Sequence, residues 1–268
     1  MKTEEIIVSI ALGSETLRVG KLWCHVRGGR ESATFEYDKN WLLNPEKFAL
    51  EPLLKLTPGA YHTGPGISLF GAIGDSAPDR WGRVLMRRAE LARAQNNKET
   101  PSTLFEADYL LGVSDEARQG ALRFSRSEAE DIYLARNNKV SIPPLVELPR
   151  LLSATEHFIE NDEGAEDLRI LLAPGSSLGG ARPKASVKLK DGSLAIAKFP
   201  RKDDEFNVVV WEAVALTLAR NAKIRVPEWH LENILGKQVL IIKRFDSNQK
   251  LRIPFLSAMC QCQRKMGH

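Results

Sequence analysis

The stretch KASVKLKDGSLAIAKF, Lys184 to Phe199, constrains the fold more than any other part of the chain. Asp-Gly between two runs of alternating apolar residues is the strongest short-range hairpin signal. A two-residue turn at Asp191-Gly192 sets Lys190 opposite Ser193. Counting outward pairs Leu189 with Leu194, Val187 with Ile196 and Ala185 with Lys198, all on one face. Lys198 then belongs to the apolar face, where an unpaired lysine costs on the order of several kcal/mol. It needs an anion.

One candidate follows in the chain. In NVVVWEAVALTLARNA, residues Val208, Trp211, Ala215 and Leu218 keep a helical apolar stripe, and Glu212 lies at its edge pointing inward. Lys198 and Glu212 can simply snorkel from their own elements. The functional reading is a lysine oriented by a helix glutamate to hold phosphates, with Ala185, Val187 and Ile196 as an apolar roof over a base. Upstream, Gly175, Ser176, Ser177, Gly179 and Gly180 form a small-residue loop that can bring backbone N–H groups close to an anion. It is not a Walker A loop, because Ala181, Arg182 and Pro183 separate the last glycine from Lys184, and no G-x-G-x-x-G occurs. A strand with a lysine, a helix with an inward glutamate and the buried strand QVLIIKRFD make up the order of a protein-kinase N-lobe ending in the hinge.

The rest of the chain reads as ordinary globular protein. With 268 residues, 43% hydrophobic and 27% charged, it can build one large or two modest cores. No apolar run reaches membrane-span length, and the acidic start MKTEEIIVSIALGSE is opposite to a secretory signal, so a cytoplasmic location is expected. Cys24, Cys260 and Cys262 read as free thiols, and a net charge of +4 decides nothing about partners. EIIVSIAL, LRVGKLWCHV and SATFEYD read as strands of a small twisted sheet. In GDSAPDRWGRVLMRRAELARAQ the period becomes helical, with Trp81, Val84, Leu85, Ala89 and Ala92 on one stripe and Arg80, Arg83, Arg87 and Arg88 around the other side. Ser76 followed by Asp79, with Pro78 in the first turn, is the expected cap, and it accounts for Asp75 and Asp79 without paired-carboxylate chemistry. The arginine face reads first as solvated surface and second as a docking surface. Prolines in RNNKVSIPPLVELPR and the acidic ENDEGAED mark a boundary or connection.

Taken together, FGAIGDSAPDRWGRVLM, SSLGGARPKASV, AIAKFP, NVVVWEAVALTLA, VLIIKRFD and RIPFLSAM resemble the HipA family of bacterial toxin–antitoxin serine/threonine kinases. The matching strings run in family order from about Phe70 to Met259. The resemblance implies an α+β architecture. An N-terminal sheet-and-helix subdomain over residues 1–110 would precede a kinase N-lobe-like region over 111–259, with a non-family tail at 260–268. It implies that Leu178, Gly179, Gly180, Ala181, Arg182, Pro183 and Lys184 form the ATP-phosphate loop and that Lys198 is the phosphate lysine, with Glu212 as its partner. Lys243, Arg244 and Phe245 would form the hinge that meets adenine, and Ser177 would be the autophosphorylated serine. It also implies ATP and magnesium as cofactors and translation components such as aminoacyl-tRNA synthetases as substrates. The implied partner is a HipB-type helix-turn-helix antitoxin, through which alone DNA is met.

One departure is large. Kinases draw the residue that orients the attacking hydroxyl, and their magnesium ligands, from the lobe after the hinge. Only 22 residues follow Asp246, and none is Asp or Glu. No HGD with a later KN occurs there, so the expectation is a chain without the catalytic C-lobe, its magnesium site or a catalytic residue, inactive in transfer. A frameshift or early stop, or a deliberate short form, would produce such a sequence, and the underside of the hinge strand would be left exposed. The alternative expectation is a non-catalytic interaction fragment that binds antitoxin or nucleotide.

Overall fold

The structure is a computed structural model that describes residues 2–126, 142–175, 180–248 and 251–262. In chain order, β1 (Lys2–Leu12), β2 (Glu15–Arg27) and β3 (Arg30–Tyr37) lead to α1 (Lys39–Leu43), β4 (Ala60–His62), α2 (Gly71–Gly74) and α3 (Arg80–Asn97). Then come α4 (Glu106–Gly112), β5 (Leu122–Ser125), α5 (Leu148–Glu160) and α6 (Ala165–Gly175). The hairpin β6 (Lys184–Lys188) and β7 (Leu194–Lys198) is followed by α7 (Val208–Asn221), β8 (Trp229–Ile234), β9 (Lys237–Lys243) and α8 (Ala258–Cys262). Helix and antiparallel sheet are mixed, an α+β content. No helix among the described residues is long and apolar enough to cross a membrane.

Two compact units share the chain, and neither is continuous in sequence. The first comprises Met1–Ala77, Thr103–Arg136 and Lys250–His268, and the second Pro78–Ser102 and Asn137–Gln249. The boundaries read from the sequence were contiguous. Side-chain packing explains the interleaving: α3 contributes Trp81 and Leu85 to the core that holds Ala185 and Ile241, while β5 pairs with β1.

The first unit is a five-stranded antiparallel sheet in the order β4-β3-β2-β1-β5. Alternation in β1 buries Ile6, Val8 and Ile10 against Leu22, Phe35, Trp41 and Phe124. Gly20 is required where β2 approaches β3, because a Cβ there would stand 2.2 Å from the Glu36 carbonyl oxygen. Arg118 is buried whole. Its guanidinium donates to the carbonyls of Ser76 (2.8 Å), Leu110 (2.9 Å) and Val113 (3.1 Å) and stacks over Phe124. Burial pushes its pKa down to about 10.

Residues 251–262 pack in this same unit. Arg252 donates to the Arg118 and Asp115 carbonyls at 2.7 Å, and Ser257 N–H donates to Asp75 at 2.6 Å. The Cys260 thiol sits where a side chain on Gly71 would be, 2.6 Å from that ideal Cβ. RIPFLSAM and the start of the CQC tail are therefore parts of the first unit's packing and not of the lysine-bearing sheet.

The second unit holds the four-stranded antiparallel sheet β6-β7-β9-β8. One face carries Ala185, Val187, Ala195, Ala197, Val239 and Ile241 against α3, α5 and α6, with Leu151, Phe158 and Leu171 prominent. The other face carries Leu240 and Ile242 against Val209, Ala213 and Leu216 of α7.

Three expectations are corrected here. The hairpin register is Lys184 with Lys198, Ala185 with Ala197, Ser186 with Ile196 and Val187 with Ala195. It is one residue away from a two-residue turn. Lys190, Asp191 and Gly192 form a three-residue loop, closed by Gly192 N–H to the Leu189 carbonyl, with Gly192 at φ +81°. Asp-Gly suits that loop as well, since its last position needs a residue tolerant of positive φ. A one-residue slip moves side chains to the opposite face. Ala185 and Val187 accordingly pack in the α3/α5/α6 core and cannot roof a base beside Lys198.

The stripe on α7 is also different. Val209, Ala213 and Leu216 face the sheet, whereas Trp211 and Leu218 are 60% and 62% exposed. Both stripes have helical spacing, so periodicity alone cannot choose between them. At α3 the cap is Asp79, which accepts from Gly82 N–H at 2.8 Å, and not Ser76. Pro78 precedes the cap, and Asp75 closes α2 and receives Ser257.

Candidate nucleotide-phosphate site

The cleft that matters lies within the second unit, where the loop before β6 meets the end of β7 and the first turns of α7. Its lining is Gly180, Ala181, Arg182, Pro183 and Lys184 from the loop and strand, Lys198 and Phe199 from β7, and Val208, Val209 and Glu212 from the α7 side. Its volume is about 160 Å³, below the roughly 300–1,000 Å³ of pockets that enclose a whole small molecule. It matches a phosphate group or two better than a nucleotide.

The two lysines of its lining form ion pairs of different character. Cross-strand pairing places Lys184 and Lys198 side by side on one face. Lys184 is buried. Its Nζ donates to Asp79 Oδ2 at 2.9 Å and to the Gly180 carbonyl at 3.0 Å, and the side chains of the ion pair are only 5% and 9% exposed. Burial pushes the Lys184 ammonium below its ordinary pKa and the Asp79 carboxyl above its own, as expected when desolvation opposes both charges. Lys198 Nζ donates to Glu212 Oε1, and that pair stays partly open, at 29% and 35% side-chain exposure. Of the two lysines, Lys198 is the one that can turn to an incoming anion.

The loop's remaining members are differently engaged. Gly180 has φ +99°, a conformation glycine adopts without strain. Arg182 pairs with Asp204, which also accepts from Arg201 N–H at 3.0 Å. Ser177, Leu178 and Gly179 lie outside the described residues.

Lys243, Arg244 and Phe245 do not line the cleft. Lys243 stands opposite Ala195, on the face away from Lys198, with Asp191 at 3.5 Å and Glu228 at 3.6 Å. Arg244 is buried and bonds to Asp246 at 2.6 Å and to Ser186 Oγ at 3.3 Å. Phe245 is 63% exposed.

Asp79 and Trp81 reach the site although spacing pointed only to a helix cap and a core position. Trp81 Nε1 donates to the Lys184 carbonyl at 3.0 Å. Asp79 is 105 residues from Lys184, so no local pattern could have linked them. Of the α3 arginines, Arg83 donates to the Pro78 carbonyl, Arg88 binds Glu163 and the Phe158 carbonyl, and Arg93 binds Glu90 and Glu99. Among the described residues, no group of three or more His, Cys, Asp or Glu side chains is placed to hold a metal ion. A larger groove of about 420 Å³ opens on the first unit, lined by Arg18, Lys21, Trp23 and Lys39 among others. There Arg18 pairs with Asp38 and Lys21 with Glu5, and no loop of small residues accompanies them.

Residues 176–267 match the family model of the HipA-like C-terminal domain. The matched segment is about a third of the chain. It contains the loop, both lysines, α7 and β9. HipA from the Shewanella oneidensis MR-1 toxin–antitoxin system, solved with HipB and its operator DNA, aligns at 14% identity and a TM-score of 0.48. The alignment covers 93% of this chain and 53% of that one, so the chain spans about half the length of that HipA. No curated protein matches the sequence.

Proposed function

We propose that the second unit is a HipA-like nucleotide-binding module of kinase N-lobe type, in which Lys198 holds the phosphates of ATP. The observation that carries this reading is the Lys198–Glu212 pair, a strand lysine oriented by a glutamate on the following helix, at the mouth of a phosphate-sized cleft. In protein kinases this pair positions the lysine for the phosphates. An ammonium held by one carboxylate in a half-exposed site keeps donors free, and phosphate oxygens strengthen charge-assisted hydrogen bonds there. Gly180 lets the backbone approach the same anion. Arg182 and Lys184 frame the cleft from positions already satisfied by acidic partners.

In the family framework the module serves a serine/threonine kinase toxin restrained by a HipB-type antitoxin, with translation components as substrates. The cleft supplies the phosphate-binding part of that chemistry, with Glu212 committed to Lys198. A second reading, a non-catalytic interaction fragment, is favoured by the exposed Trp211 and Leu218 on the outer side of α7.

Calorimetric titration of the purified chain with ATP, ADP and AMP, with and without magnesium, tests the reading. Affinity that falls at each lost phosphate is the expected result. A folded chain that binds none of them, or binds all three equally, would leave the interaction reading in its place.

A further inference from the structure

Both ends of the Gly180–Lys184 stretch are gripped by the first turn of α3. Asp79 takes the Lys184 ammonium at 2.9 Å while capping its own helix through Gly82. Trp81 holds the Lys184 carbonyl through its indole N–H at 3.0 Å and reaches the Gly180 carbonyl through its backbone N–H at 3.4 Å. Lys184 in turn bridges to that same Gly180 carbonyl. Burial makes this arrangement all-or-none, because a desolvated ammonium deprived of its carboxylate has no water to replace it.

We infer that Lys184 is a positioning residue and not a phosphate ligand: with Asp79 it forms a latch by which α3 sets the shape of the phosphate loop. The latch rests on the nucleotide reading for its purpose, but its geometry stands without it. Lys184 is 4% exposed and has its donors directed at Asp79 and Gly180, whereas Lys198 beside it is open. A helix about a hundred residues earlier in the chain is thereby a working part of the cleft. Its Asp79 acts through the loop and touches no ligand.

The test uses the full chain with Asp79→Asn, Lys184→Met and the double variant. Asparagine still caps α3, so Asp79→Asn removes the charge of the latch and leaves the helix start intact. Without nucleotide, deuterium uptake over residues 180–188 should rise in both single variants and not in Lys198→Met. With ATP, each single variant should bind about tenfold more weakly, and the double should be no weaker than either, as for two members of one unit. Unchanged uptake in Asp79→Asn would overturn the latch. So would tighter ATP binding by Asp79→Asn, which is the signature of a Lys184 released to bind phosphate. If the wild-type chain binds no ATP the nucleotide reading fails, and the uptake measurement still decides the latch.

Discussion

Arg118→Leu should shift the urea unfolding transition of the first unit by about 1–3 M. The guanidinium satisfies the carbonyl of Ser76, beyond α2, and those of Leu110 and Val113 at the C-terminal end of α4, and so ties two helix ends together. Each buried acceptor left without a donor costs about 1–3 kcal/mol. Removing the charge recovers part of its desolvation cost, so the net loss is about 3 kcal/mol, which at a urea slope of about 1–3 kcal/mol per molar gives the stated shift. Arg118→Lys should fall between the two, because an ammonium cannot span three carbonyls as a planar fork does. Trp41, buried in that core, reports the transition by fluorescence. A midpoint equal to that of the wild type would mean that the carbonyls find water or other donors.

Lys198→Met should weaken ATP binding by about 10- to 150-fold. A charge-assisted hydrogen bond contributes about 1.5–3 kcal/mol, and each 1.4 kcal/mol is a factor of ten. The variant also leaves Glu212 unpaired at the cleft, where its negative charge repels phosphate. Glu212→Gln should cost less, since Lys198 keeps its charge and loses only its orientation. Calorimetry of both variants measures the order, and equal or reversed losses would place the phosphates away from Lys198.

Much of the second unit was legible because its signals are local. Asp191-Gly192 announced the hairpin, and counting along α7 brought Glu212 inward. The errors were also local in origin. Asp-Gly serves two loop lengths, so the register slipped by one, and Ala185 and Val187 changed faces. On α7 the apolar residues almost encircle the helix, so the Trp211–Leu218 stripe competed with the Val209–Leu216 stripe that the sheet selects. Glu212 lies at the flank of both stripes, which is why its partner could be named from the wrong one. Long-range partnerships left no trace in spacing. Asp79 looked complete as a helix cap, Arg118 sits in the unremarkable EARQG, and the return of Arg252 to the first unit depends on carbonyls more than a hundred residues away.

The proposed phosphate site can be tested directly with a lysine-reactive acyl-phosphate derivative of ATP, followed by peptide mapping. Acylation of Lys198 that excess ATP suppresses, with Lys184 unmodified in its latch, is the result expected of a cleft between β7 and α7. ATP-protected acylation at Lys21 or Lys39 of the first unit instead, or no acylation that ATP suppresses, would contradict a nucleotide site at Lys198.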